Sequence, residues 1–225
     1  MDTIHAFQRT ACLRGAVELD LFTRIGEGVK TVDDLAKACH ASARGIRILC
    51  DFLTVHGLLT KSDGAYGLTP DSAAFLDRRS PAYLGGTFQF LCSPSVMSGW
   101  TDVAEAVRRG TTIMDGAGTV DPEDPVWVDF AKAMPPFVGG AAGFIASAAA
   151  LEGPQRVLDI AAGHGLFGIA IARQNPQAEI VPVDWRQVLE VAQENAHAAG
   201  VGDRYHPIPG DAFQVELAPA TIRFC

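Results

Sequence analysis

VLDIAAGHGLFGIAIA (Val157–Ala172) sets an apolar run, a glycine-rich elbow and a second apolar run in immediate succession. The pattern predicts a strand, a tight loop and a helix, with backbone brought close to a ligand at the elbow. The alternation continues outward from there. RVLDIA, AEIVPVD and YHPIPGD read as strands, and GLFGIAIARQ and VLEVAQENAHAAG as the helices between them. A βαβαβ order of this kind predicts a parallel sheet with its ligand site at the carboxyl ends of the strands.

Gly163, Gly165 and Gly168 spell G-x-G-x-x-G between the first strand and its helix, and Asp184 follows twenty-one residues after Gly163, at the end of the second strand. That spacing suits an acid holding a ribose hydroxyl pair, and by itself it also suits a nicotinamide dinucleotide. Asp159 argues against the dinucleotide. It stands at the end of the first strand, where a pyrophosphate needs neutral donors and a carboxylate repels it at close range. A ligand with an ammonium group and no phosphate fits better, and S-adenosylmethionine is such a ligand. The third strand ends in GDAF (Gly210–Phe213), where Asp211 can accept from an adenine amino group and Phe213 can pack on the ring. Taken alone, Asp211 caps a loop. Three acids at three successive strand ends favour a site.

Upstream of the sheet, residues 1–80 read as helices followed by a hairpin. One opening helix is predicted from Ile4 to Ile25, then a helix Val32–Cys39 behind an N-cap at Thr31 with Asp33 and Asp34 in its first turn. The next helix starts after Ser42, carries Ile46, Leu49, Cys50 and Leu53 on one face, and stops at Gly57. LLTKSDGAYGLT then places Asp63-Gly64 between two strand-like runs, a hairpin signal. Helix, turn, helix and hairpin make a winged helix. Between this unit and the sheet the chain reads as helical, with a Gly/Asp-rich break at Asp115–Asp124 and a kink at Pro135-Pro136 in the segment Pro125–Leu151. Phe130, Met134 and Phe137 gather near that kink, either as core or as the lining of a substrate pocket.

Composition narrows the function. Of the 225 residues 48% are apolar, yet no apolar run reaches the ~18 residues of a membrane span, and the start lacks a signal peptide's basic-then-apolar order. Five scattered cysteines without a Cys-x-x-Cys suit a reducing cytoplasm, and neither they nor the six histidines show metal-ligand spacing. Residues 1–80 hold ten acidic and ten basic side chains, so the net charge of −8 lies wholly in the remainder. Neither part has the basic footprint of a nucleic-acid binder, and Arg44 and Arg47 on the second helix of the winged unit read as a solvated face.

At these motifs the chain resembles the small-molecule O-methyltransferases, the class I S-adenosylmethionine-dependent enzymes of plant phenol, hydroxyindole and bacterial polyketide methylation. TVDDLAKACHASARGIRILCDFLTVHGLLTKSDGAYGLT resembles their dimerisation unit, VLDIAAGHG their glycine loop, VPVDW their ribose-binding strand end and DRYHPIPGDAF their adenine-binding segment. The resemblance implies an α/β fold. A winged-helix dimerisation domain (residues 1–85) would precede a helical linker (86–152) with Phe130, Met134 and Phe137 toward the acceptor. Residues 153–225 would form a partial Rossmann-like domain of about three parallel strands. It also implies S-adenosylmethionine as cofactor, held by Asp159, Gly163 and Gly165 at its methionyl end, Asp184 with Trp185 at the ribose, and Asp211, Ala212 and Phe213 at the adenine. The reaction implied is methyl transfer to a hydroxyl of a small acceptor by a cytoplasmic homodimer, without nucleic acid, membrane or metal. Two departures stand out. Ala161 replaces the loop's first glycine. The family's catalytic histidine lies beyond a fourth strand, so a C-terminally truncated member with no catalytic residue is expected, its first strand (Val157–Ile160) left with an open edge. The alternative within the family is a non-catalytic dimerisation or ligand-binding protein.

Overall fold

The computed structural model describes residues 2–113, 124–149, 152–217 and 222–224. It divides into two compact units, Met1–Met97 and Ser98–Cys225.

The first unit opens with α1 (Asp2–Glu18) and α2 (Leu21–Gly26) where one helix was expected. The break is at Asp20, whose φ of 56° is left-handed. Aspartate tolerates this conformation better than most residues, and the Asp20 carboxylate accepts from Arg78 Nε at 2.8 Å, which holds the corner. In α3 (Val32–Ala38) and α4 (Ala43–Val55) the helix starts are those expected. Thr31 Oγ1 accepts from Asp34 N–H and Ser42 Oγ from Gly45 N–H. Ile46, Cys50 and Leu53 of α4 are buried with Leu21, Phe22 and Leu35, while Arg44 and Arg47 are exposed. Strands β1 (Leu59–Ser62) and β2 (Ala65–Leu68) pair antiparallel around Asp63 and Gly64, both left-handed as a type I′ turn requires. The hairpin is tied to α4 by the Tyr66 hydroxyl, which donates to Asp51 at 2.7 Å. Two short helices, α5 (Pro70–Phe75) and α6 (Gly85–Leu91), follow, and α7 (Pro94–Ser98) stands at the boundary.

The second unit carries α8 (Val103–Arg109), α9 (Val126–Ala133) and α10 (Pro135–Ala149), then β3 (Gln155–Ile160), α11 (Leu166–Gln174), β4 (Ala178–Asp184), α12 (Arg186–Ala198), β5 (Ile208–Pro209) and β6 (Ile222–Phe224). Of the predicted Gly/Asp-rich break, residues 115–123 lie outside the described residues. Pro135 does not kink a helix. It opens a new one, with Met134 closing α9, because a proline ring is accommodated in a first turn but not in a helix interior. The sheet is parallel throughout, in the order β5-β4-β3-β6. Val157 and Ile180 face a core that includes Ala172, Ala192 and Ala196, whereas Leu158, Val181 and Val183 face Ile208, Ala212 and Val215.

The open edge expected on the first strand is not there. β6 pairs with β3 from Arg156↔Ile222 to Leu158↔Phe224. The chain runs β3, β4, β5 toward one side and returns to the other side of β3 for β6. That reversal places a topological switch point at the carboxyl end of β3, where open α/β sheets bind their ligands.

Candidate functional site

The loop Ala161–Gly165 joins β3 to α11 at this switch point. Ala161, Gly163 and Gly165 all have positive φ, of 55°, 56° and 76°. The loop closes on itself through Gly165 N–H to Ala162 O (2.8 Å) and on β4 through Ala162 N–H to Val183 O (3.3 Å). A helix start needs acceptors for its first N–H groups, and Gly165, the N-cap of α11, has no side chain to offer. Two other residues supply them. His164 Nδ1 accepts from Leu166 N–H at 3.1 Å, and Asp159 Oδ2 accepts from Gly168 N–H at 3.1 Å.

Asp159 is therefore placed beneath the helix start, on the Val157 face of β3, and is only 4% exposed. Burial pushes its carboxyl up to about 6; the Gly168 N–H works against that rise, and the charge of Asp184 adds to it. A side chain on Gly168 would meet Ile180 Cγ2 at 2.6 Å and Asp159 Oδ2 at 2.9 Å, so the close approach of α11 to the sheet requires glycine. His164 is buried, and burial holds its imidazole below the usual histidine range. With Nδ1 accepting, it is the neutral ring that caps the helix. The His164 carbonyl in turn accepts from Asn195 Nδ2 of α12 at 2.9 Å.

Asp184, at the end of β4, is half-buried. Its Oδ2 accepts from Gly163 N–H at 2.8 Å and its Oδ1 from Trp185 N–H at 2.7 Å. Each carboxylate oxygen has a second lone pair, so these bonds orient the group without exhausting it. Trp185 is the N-cap of α12 and packs against the cluster of Ala131, Val188 and Val191. Beyond β5, Asp211 Oδ1 accepts from Phe213 N–H and Oδ2 from Gln214 Nε2, both at 2.9 Å. Asp211 thus caps the turn, as the plain reading of GDAF has it. Ala212 packs beneath with Leu158 and Val181, and the Phe213 ring is 98% exposed.

Phe130 and Phe137 are 39% and 67% exposed, and Met134 is half-buried. Two residues that the sequence did not single out bear on the site. Arg204 donates to the carbonyls of Ala172 (2.8 Å), Asn175 (3.2 Å) and Ala178 (2.8 Å), tying the end of α11 to the start of β4. Tyr205 fills the space under Gly165, 5% exposed. An arginine after a glycine turn and an aromatic before a strand carry no local signal of either placement.

Residues 1–78 match the family model of the O-methyltransferase dimerisation domain. Over nearly its whole length the chain is similar to a solved structure from Nostoc punctiforme assigned to the O-methyltransferases, at 50% identity and a TM-score of 0.90, covering 95% of this chain and 64% of that one. It is 27% identical to the tetracenomycin polyketide synthesis 8-O-methyl transferase TcmO of Streptomyces glaucescens, over 96% of this chain and 65% of that protein. It also shares the fold of PigF solved with S-adenosylhomocysteine, at 22% identity, a TM-score of 0.82 and coverage of 99% and 69%. The chain thus spans somewhat less than two thirds of the first two relatives. Residues 1–78 thus resemble an O-methyltransferase dimerisation domain, and the chain as a whole is similar to O-methyltransferases along almost all its length.

Proposed function

We propose that the second unit binds S-adenosylmethionine at the carboxyl ends of β3, β4 and β5, in the service of methyl transfer to a hydroxyl of a small aromatic or polyketide-like acceptor. One observation carries this reading. Asp184 Oδ2 is hydrogen-bonded to Gly163 N–H at 2.8 Å, so the acid of the second strand and the glycine loop of the first form one preorganised edge. The fit is supported on both faces of the loop. Inward, Gly165 and Gly168 are filled by Tyr205, Ile180 and Asp159; at Gly163 a side chain would meet nothing nearer than Ala161 O at 3.9 Å, so its outer face is clear for a ligand.

In this reading Asp184 accepts the ribose hydroxyls on its free lone pairs, with Trp185 beside it. Gly163 and Gly165 let the methionyl end approach the backbone. Asp159 supplies negative potential there from beneath the loop, which favours an ammonium and disfavours a phosphate. Asp211, Ala212 and Phe213 hold the adenine, the exposed Phe213 ring closing on it and losing its exposure. The bound cofactor supplies an activated methyl group on a sulfonium. Phe130, Met134 and Phe137 offer an apolar surface to the acceptor ring, and the first unit pairs two copies of the chain.

No base is assigned. Of the histidines in the second unit, His164 caps α11, His197 packs against Gly202 and His206 is paired with Glu179. Calorimetric titration with S-adenosylhomocysteine tests the site itself. Micromolar affinity is expected, weakened about tenfold or more in Asp184→Ala, which removes charged hydrogen bonds. A folded wild-type protein that releases no heat and shows no thermal protection would sink the cofactor reading.

A further inference from the structure

The Tyr205 hydroxyl is buried and makes no hydrogen bond among the described residues. A phenylalanine would fill the same space without that cost, so an orphaned buried hydroxyl calls for a partner. Its position narrows the choice. Tyr205 pairs through its backbone with Ile180, in the middle of β4, and belongs to the core cluster on the Val157 face. The phenol ends directly under Gly165, which Ala192 of α12 also approaches. Asp159 lies on the same face, one turn of the pleat beyond Val157, and only its Oδ2 accepts a bond among the described residues. An unpaired donor and an unpaired acceptor therefore share the seam beneath the glycine loop.

We propose that the Tyr205 hydroxyl is the donor partner of the Asp159 carboxylate as the loop closes on its ligand, which makes Tyr205 a positioning residue of the cofactor site. Gly168 N–H fixes one oxygen of Asp159 and Tyr205 fixes the other, so the carboxylate and the loop above it are held in one orientation. The charged groups acting on this seam are Asp159 from β3 and Asp184 from β4; α11 and α12 present Gly168 and Ala192 to it. Burial, with the charges of Asp159 and Asp184, raises the Tyr205 phenol further above its ordinary value, so it stays a neutral donor. The proposal builds on the reading of this loop as a cofactor site, yet the pairing has a signature of its own.

Tyr205→Phe tests it, with the Asp159 side-chain carboxyl followed by carbon NMR against pH and S-adenosylhomocysteine affinity followed by calorimetry. A donor to a carboxylate favours its charged form, so its loss raises the Asp159 midpoint in the ligand-saturated protein, here by about half a pH unit or more. Affinity falls about five- to tenfold near neutral pH, with ligand-free stability unchanged or higher. In an Asp159→Asn background the same substitution changes affinity less than about twofold. An unmoved midpoint and unmoved affinity overturn the pairing while leaving the cofactor reading intact. A folded wild-type protein that binds no S-adenosylhomocysteine removes the cofactor reading and, with no ligand for the loop to close on, the pairing with it. A stability loss that accounts for the whole affinity loss, repeated in the Asp159→Asn background, reduces Tyr205 to packing and also overturns the proposal.

Discussion

Ala161 sits at a φ of 55°, where a Cβ crowds the following carbonyl at a cost of about 1–2 kcal/mol. Glycine relieves that strain and gives back part of the gain through a freer unfolded chain. Ala161→Gly is therefore expected to stabilise the protein by roughly 0.5–1.5 kcal/mol, read as a higher urea midpoint at unchanged slope. A lower midpoint would mean that the methyl group makes contacts worth more than the strain. Asp159 offers a second residue-scale prediction, in which pH sets the sign. Its carboxyl is raised from 3.8 to about 6 in the fold, chiefly by burial. Between about pH 4 and 6 the native protein holds the proton that the unfolded chain has released, so this group lowers stability as pH rises through that window. With each pH unit worth about 1.4 kcal/mol, the loss is on the order of 3 kcal/mol above pH 6. Asp159→Asn keeps an oxygen for Gly168 N–H and loses the charge. Its advantage over the wild type is expected to be small at pH 4 and about 1–3 kcal/mol at pH 7.5. Parallel urea melts at the two values decide it, and an advantage independent of pH would show that the buried charge is not its source.

At the scale of elements, α11 is the clearest case of a helix specified from outside itself. Its cap residue is a glycine, and its first N–H groups are satisfied by His164 from the loop and Asp159 from the strand. Gly168 makes this possible by letting the helix lie against Ile180 and the Asp159 carboxylate. Gly168→Ala adds a carbon at 2.6 Å from Ile180 Cγ2, and overpacking of that kind costs about 1–3 kcal/mol despite alanine's better helix propensity. Thermal or urea unfolding measures the cost; an equal or higher stability would show that α11 can lift from the sheet freely. Such arrangements also show what a sequence can convey. The strand, loop and helix order from Val157 was legible because apolar period and glycine spacing are local. So were the Thr31 and Ser42 caps and the Asp63-Gly64 turn. The Asp20 corner was not, because an apolar pattern runs on across it and the ion pair with Arg78 that holds it comes from far along the chain. The β3–β6 pairing was hidden for the same reason, since nothing near Ile222 names Arg156 as its neighbour. At the site, charge and spacing picked out Asp159 and Asp184. The direction each carboxylate takes, toward Gly168 in one case and Gly163 in the other, is a property of the assembled layers.

For the molecule as a whole, the two units have separate cores and separate expected tasks, and a single probe can tell them apart. All three tryptophans, Trp100, Trp127 and Trp185, lie in the unit from Ser98 onward. Tryptophan fluorescence therefore reports the unfolding of the sheet unit, while far-ultraviolet circular dichroism also follows the helices of the first. A ligand bound only by the native sheet unit stabilises it by mass action, about 2.7 kcal/mol at a hundredfold excess over its dissociation constant. S-adenosylhomocysteine is accordingly expected to raise the fluorescence midpoint by several degrees. Protein concentration acts on the other unit. Residues 1–78 match a dimerisation domain, and Ile4 and Phe7 are exposed on α1, so the proposed pairing of two copies through this unit would make its melting climb with concentration. The two effects together predict a dichroism curve that responds to both variables and a fluorescence curve that responds mainly to ligand. If ligand moved neither curve in a folded protein, the sheet unit would not be a cofactor site. Should concentration move neither, the first unit would not be pairing copies of this chain under those conditions, and sedimentation at the same concentrations would then find a monomer.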